Sequence, residues 1–290
     1  MNKLKLKKNF IIGSANFTQK YGADSIKISS NEVKKILNLA IKNDICKIDT
    51  AEAYLNNKNI FKNINKKFKF TSKVILNYKW KSLEYCQNKL ENHFKNLNLK
   101  KIDTLLIHNE EILLTKNSFK IFKNLEDLKK KKYFHKIGLS IYETDNLKYI
   151  ISRFNLDVVQ CPYNILDQRI LTTGWFDRLK NKGIETHVRS IFLQGLLVNK
   201  SIYGKKYFKK WHKDISNWFK WLEINNISPI DYCLSDLLRQ DFDKIIIGIN
   251  NFNNLKEIIN FKKIDIKKTL NFKSNDLKLI DPRKWKKNEN

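Results

Sequence analysis

The sequence predicts a single (β/α)8 barrel. Short apolar, β-rich runs alternate with amphipathic helical stretches, the pattern of a parallel sheet with crossover helices. The runs number eight, the count a closed barrel needs. A length of 290 residues suits one barrel with its loops, and no Pro/Gly/Ser-rich stretch marks an internal linker. We expect one domain over 1–290, with the barrel core at about 10–262 and a C-terminal tail at 263–290.

The expected strands are 10–15, 46–51, 68–74, 102–108, 136–141, 158–162, 185–191 and 244–249, each a short run rich in Val, Ile, Leu or Phe. Helical spacing is expected between them. Residues 31–42 put Val33, Ile36, Leu37 and Ala40 on one face, with Ser30 or Asn31 as the cap. Stretches 82–97, 118–131, 144–154, 172–181 and 253–261 follow the same logic. After the seventh strand the pattern loosens: 200–213 is aromatic and basic, and 218–224 and 229–238 supply further helices, so this crossover is long. In barrels, enlarged loops on the active face commonly shape the substrate pocket. The Lys-rich tail is expected to pack partly across the barrel and fray at its end.

With 42% hydrophobic and 12% aromatic residues the chain can bury a sizeable core. The formal charge of +28 invites a nucleic-acid reading, but the excess is almost all lysine, with only six arginines, spread through every polar segment. Solvated helix faces account for that better, and no nucleic acid is expected as a partner. No apolar run reaches about 18 residues, so no membrane span is expected, and the lysines at the start interrupt any signal-peptide core. Cys46, Cys86, Cys161 and Cys233 show no C-x-x-C or zinc spacing; Cys46 and Cys161 sit in strand-like runs and are expected to be buried thiols. A cytoplasmic protein with no metal follows.

Four stretches carry the candidate chemistry: Ile48-Asp49-Thr50-Ala51, Glu52-Ala53-Tyr54, Thr71-Ser72-Lys73 and Leu106-Ile107-His108. They bring an acid, a phenol, an amine and an imidazole to or just past strand ends, which a parallel barrel gathers at one mouth. Taken singly, Asp49 reads as a helix cap, Tyr54 as loop filling, Lys73 as a solvated lysine and His108 as a core histidine. Lys73 is the least comfortable of these, because an ammonium closing an apolar strand needs an acidic partner.

The order and spacing of the four resemble the catalytic tetrad of the aldo-keto reductases, NAD(P)H-dependent carbonyl reductases built on a (β/α)8 barrel, and the resemblance runs from about residue 10 to 260. It implies that Tyr54 is the general acid, that Lys73 lowers the phenol's pKa, that Asp49 holds Lys73 and that a neutral His108 orients the carbonyl. It further implies cofactor contacts from Gly13 and Ser14 at the first strand end, Asp49, Ser140 and Gln160 for the carboxamide, Arg189, Ser190, Phe192 and Gly195 after the seventh strand, and Gly248, Asn250 and Asn254 at the eighth. Arg189 stands where the family commonly has an aromatic stacked on nicotinamide, and a guanidinium plane can stack likewise; the alternative is an arginine paired with an acid. Phe17, Tyr54 and His108 are expected to wall the substrate pocket. The segment from Gln160 to Arg169 looks like the family's Q-x-x-Y-N-x-x-x-x-R stretch. Departures are Ile141 for an asparagine, Leu55 for a glycine and Asn57-Lys58 for a Ser-Glu pair.

The cofactor implied is NADP(H), with NAD(H) left open, since Asn250 and Asn251 fill the place of a 2′-phosphate cation. No G-x-G-x-x-G fingerprint occurs, which argues against a Rossmann dehydrogenase. The partner expected is a small carbonyl substrate, sugar-like by similarity to bacterial members found with surface-sugar biosynthesis genes. The alternative is a barrel of weak or no catalytic power that binds the nicotinamide cofactor as a sensor or subunit. Oligomeric state is not legible in the sequence.

Overall fold

Eight parallel strands close on themselves in sequence order in the computed structural model: β1 Phe10–Gly13, β2 Lys47–Ala51, β3 Lys69–Val74, β4 Ile102–Ile107, β5 Phe134–Ser140, β6 Val158–Pro162, β7 Glu185–Arg189 and β8 Lys244–Gly248. The structure describes residues 7–54, 60–61, 67–266 and 272–285. All eight expected strands are present. Several end one or two residues early, because Ala15, Ile141, Ile191 and Ile249 lie under the loops at the barrel mouth, where apolar character no longer signals ladder pairing. Mid-barrel, a Cβ on Gly138 would lie 2.5 Å from the Val158 carbonyl oxygen, so β5 and β6 approach as they do only with glycine there.

The crossover helices are α1 Ser30–Lys42, α2 Leu83–Asn96, α3 Ser118–Lys130, α4 Leu147–Arg153, α5 Trp175–Asn181, α6 His212–Ile224, α7 Pro229–Arg239 and α8 Phe252–Ile259. Val33, Ile36, Leu37 and Ala40 are the buried face of α1, as their spacing required. Its cap is Ser29, whose hydroxyl accepts from the Glu32 amide at 3.3 Å; the helix starts a turn before its apolar pattern, so neither Ser30 nor Asn31 caps it. Gly174, at φ 71°, separates α5 from a short turn over Arg169–Thr172, dividing the expected 172–181 helix. Residues 144–146 form a turn rather than the start of α4.

The long β7 to β8 crossover carries helical turns at Lys200–Tyr203 and Lys206–Trp211 before α6 and α7. The tail packs on this region: Phe272 meets Trp218 edge to face, the Tyr207 hydroxyl donates to the Lys278 carbonyl at 2.7 Å, and the Trp285 indole donates to the Leu279 carbonyl at 3.0 Å. The four cysteines are free; Cys161 is buried in β6, whereas Cys46 precedes β2 and is half-buried. Among the described residues no helix is long and apolar enough to cross a membrane, and no cluster of His, Cys, Asp or Glu suits a metal.

Candidate active site

At the C-terminal mouth of the barrel, strand register brings the expected acid and amine together. Asp49 pairs with Thr71 and Ala51 with Lys73 along β2 and β3, which sets the two side chains on adjacent strands with the same inward facing. The Lys73 ammonium donates to Asp49 Oδ1, and both groups are buried. Asp49 Oδ2 accepts from the Gln160 amide of β6 at 2.8 Å, so the carboxylate is clamped from both sides. Burial pulls the Lys73 pKa down while Asp49 opposes the fall, which leaves an ammonium dependent on its partner.

Tyr54 closes a short turn, Glu52–Tyr54, immediately after β2, and its ring lies 5.8 Å from the Lys73 ammonium. His108 follows β4; its amide donates to the Val74 carbonyl at 2.9 Å and holds the residue at the strand end. Burial, with Lys73 and Arg189 adding, drives its pKa down to about 4, so its imidazole is neutral near pH 7. All four residues line one cavity. The phenol departs from expectation. Burial first, then Tyr21, Asp49 and Tyr142, push the Tyr54 pKa well up, and the cation that opposes them is Arg189.

The same cavity is lined by Gly13, Ser14, Ser140, Arg189, Ser190, Phe192, Gly195, Gly248, Asn250 and Asn254, which brings the expected cofactor contacts to one place. The exception is Gln160, which lies behind Asp49 and reaches the site through it. The loop after β7 is strained: Ser190, Leu193 and Gln194 adopt φ of 60°, 45° and 51°, and Gly195 adopts 96°. Such a run holds backbone amides in a shape that a relaxed chain does not keep, as suits a loop built to grip an anion.

Arg189 has no acidic partner among the described residues. It donates to the Ile141 carbonyl at 2.8 Å and stacks 4.0 Å from the centroid of Tyr142, so the structural alternative of an acid-paired arginine does not hold. Arg283 of the tail stacks on the same ring at 3.5 Å, and thus two of the chain's six arginines meet at Tyr142. Phe17 is not a pocket wall: in the turn Ala15–Thr18 its ring turns inward, has 0% exposure and packs into the core. Its place is taken by Tyr21, whose ring lies 6.4 Å from that of Tyr54, and by Tyr142. Neither carried a sequence signal, being lone aromatics in loops. In the 160–169 segment, Tyr163 donates to Asp236 at 2.6 Å and Arg169 forms a two-pronged pair with Asp167, which makes these residues architectural. Leu55, Asn57 and Lys58 lie outside the described residues.

The site fits a nicotinamide cofactor by its unmet polar groups. The Ser14 hydroxyl is buried without a hydrogen-bond partner, and the Ser140 hydroxyl lines the same cavity. Two hydroxyls facing the cavity, one of them without a partner, are what a carboxamide and a ribose phosphate would satisfy.

Solved structures share this architecture. An aldo-keto reductase of Bacillus halodurans in its holo form superposes with a TM-score of 0.70 at 15% identity, covering 89% of this chain and 89% of that one. A glycerol dehydrogenase of Gluconobacter oxydans gives 0.65 at 14%, covering 89% and 88%. No curated protein sequence matches the chain. The family model for the aldo/keto reductases matches residues 9–271, over the barrel and mouth just described, and the chain therefore belongs to the aldo/keto reductase family of NAD(P)H-dependent oxidoreductases.

Proposed function

We propose that the protein reduces an aldehyde or ketone to the alcohol with NADPH, or oxidises the alcohol in reverse, with Tyr54 as proton donor. The observation that carries the reading is the buried Lys73 ammonium held by Asp49, itself held by the Gln160 amide, beneath the Tyr54 ring, with a neutral His108 in the same cavity. The cofactor, when bound, supplies the hydride.

The remaining work falls to the chain. His108 donates a hydrogen bond to the carbonyl oxygen and sets its orientation, which a neutral imidazole can do without competing for the proton. Tyr54 gives its proton to that oxygen as negative charge develops. A raised phenol pKa is compatible with this step, because an alkoxide is far more basic than a phenolate; Arg189 and Lys73 are positioned to steady the phenolate left behind. Ser14, Ser140 and the strained 190–195 loop hold the cofactor, together with Gly248, Asn250 and Asn254, while Gln160 braces Asp49 from behind. Preference for NADP(H) over NAD(H) rests on family habit. Three buried thiols suit a reducing, cytoplasmic setting.

The test is NADPH oxidation monitored with a panel of reactive aldehydes, alongside calorimetric NADPH titration. Aldehyde-dependent oxidation supports the reading. Binding without turnover identifies a cofactor-binding barrel instead, and no binding overturns both.

A further inference from the structure

The ring of Tyr142 is held on both faces. The guanidinium carbons of Arg189 and Arg283 lie 4.0 and 3.5 Å from its centroid. Two planar groups that near one centroid collide if they share a face, so they take opposite sides of the ring, where each meets the negative face of the π-system. Arg189 closes β7, whereas Arg283 belongs to the tail, in the helical turn Pro282–Lys284. Tyr142 itself lies between β5 and α4, on neither a strand nor a helix.

The two arginines are fixed unequally. Buried Asp281 grips Arg283 through Nε at 3.0 Å and Nη2 at 2.6 Å, and accepts from its amide at 3.0 Å, while Glu143 adds a longer contact at 4.0 Å. Such a fork sets the plane of the guanidinium as well as its position. The segment that carries it is anchored in turn: Trp285 packs edge to face on Phe208 with ring centroids 4.9 Å apart, and the Tyr207 hydroxyl donates to the Lys278 and Lys284 carbonyls at 2.7 and 3.1 Å. Arg189 has far less. It donates to the Ile141 carbonyl at 2.8 Å, touches the Ser190 hydroxyl at 3.5 Å, and has no ion pair among the described residues. One short hydrogen bond leaves a guanidinium free to pivot about it, and the Tyr142 face removes that pivot. A ring on a loop resists only if something backs it, and Arg283 is the backing.

We propose that Arg283 and Tyr142 are positioning residues for Arg189, and that the C-terminal tail is thereby part of the cofactor site. The inference rests on the reductase reading, in which Arg189 meets the nicotinamide cofactor. Arg189 lines the first cavity, and it is also the cation that opposes the rise of the Tyr54 pKa, so its placement bears on cofactor and acid together. Arg283 stands outside that cavity, in the wall of a second one of about 210 Å³ beyond Tyr142. Its influence on the cofactor therefore passes through the ring.

Calorimetric NADPH titration of wild type, Arg283→Lys, Arg189→Ala and the double variant tests it. Lysine keeps a cation beside Asp281 but lacks the plane that lies flat on the ring. Arg283→Lys should weaken NADPH binding about fourfold, the scale of one partly exposed cation–π contact. In the Arg189→Ala background the same change should cost less than about 1.5-fold, since nothing is left to position. A tail arginine with a merely structural role lowers affinity equally in both backgrounds. Tyr142→Leu leaves the Arg283–Asp281 pair untouched and so covers the case of a tail that loosens in the first variant; it should weaken binding at least as much, with Arg283→Lys adding nothing to it. Circular dichroism confirms the barrel in each. Arg283→Lys at wild-type affinity, equal penalties with and without Arg189, or an Arg189→Ala protein that binds as wild type overturns the proposal. Wild type that binds NADPH but reduces no aldehyde refutes the reductase reading alone, and the binding cycle still decides this one; wild type that binds no NADPH overturns both.

Discussion

Replacing Asp49 by asparagine tests whether the Lys73 ammonium depends on one partner. Lys73 is 3% exposed and among the described residues its only ion pair is with Asp49, so Asp49→Asn keeps the shape and the Gln160 contact but strands a buried cation. Breaking a buried pair in this way costs about 3 to 5 kcal/mol when the remaining charge cannot escape. Lys73 has an escape, which is to lose its proton. Its folded pKa is already lowered by burial and is held up by Asp49, so the substitution lowers it further. A group whose folded pKa is depressed binds its proton more tightly in the unfolded chain, and its contribution to stability rises with pH up to the ordinary lysine pKa. In the variant that rise begins at lower pH, so the deficit against wild type shrinks as pH increases. We expect a loss of about 3 kcal/mol at pH 6, a fall in Tm of roughly 6 °C, and a distinctly smaller loss at pH 9. Urea denaturation at pH 6, 7.5 and 9 measures it. A loss below about 1 kcal/mol at pH 6, or one that grows with pH, refutes the picture of a buried ammonium held by one carboxylate.

Tyr54→Phe should abolish aldehyde reduction while leaving NADPH affinity near wild type, since it removes only the proton donor; steady-state assay and calorimetry together check it, and activity kept within about threefold removes Tyr54 from the mechanism. Lys73→Met should lower turnover and move the pH at which reduction fades, and an unchanged pH profile would show that Lys73 does not tune the acid. Arg189→Ala should weaken NADPH binding by roughly 1 to 3 kcal/mol without unfolding the barrel; equal affinities by calorimetry would make Arg189 only a brace for Tyr142 and the Ile141 carbonyl. Because the His108 imidazole titrates at about 4, below its ordinary value, it is neutral above that pH and protonates only beneath it; the kcat/KM profile of wild type should show no inflection at the ordinary imidazole pKa that His108→Gln removes.

The barrel was legible because its signals are local and repeated: eight apolar runs, each followed by a helical face, leave little choice of architecture. The tetrad was legible for a related reason. Its members sit at strand ends, and the chain order of strands equals their spatial order in the barrel, so linear spacing translates directly into a place at the mouth. What escaped lies in loops. Tyr142 follows Ile141, where the resemblance to the family broke, and nothing in one residue's identity tells that two arginines 94 positions apart will close on its ring, as the numbers 189 and 283 give. Phe17 failed for the opposite reason. It stands next to the first strand end, but one helical turn rotates its ring into the core, and proximity in sequence carries no information on that rotation. The phenol's raised pKa was likewise unreadable, because it sums burial and the neighbours Tyr21 and Tyr142 that only the folded loops assemble.

A charge of +28 says less about this site than the placement of a few groups. At physiological ionic strength the screening length is about 8 Å, so lysines on the outer helix faces contribute little at the mouth, and what a ligand meets there is set by residues in contact with it. The two cavities differ in their balance of sign. The first cavity has Asp24 and Asp49 with Lys73 and Arg189, beside the strained 190–195 loop; the second has Glu110, Glu111, Glu143 and Asp145 around Arg283, which pairs with both Asp281 and Glu143. Tyr142 stands between them, with Arg189 and Arg283 stacked on its ring. His108 lines both cavities, so a ligand in contact with it meets both sets of fixed charges.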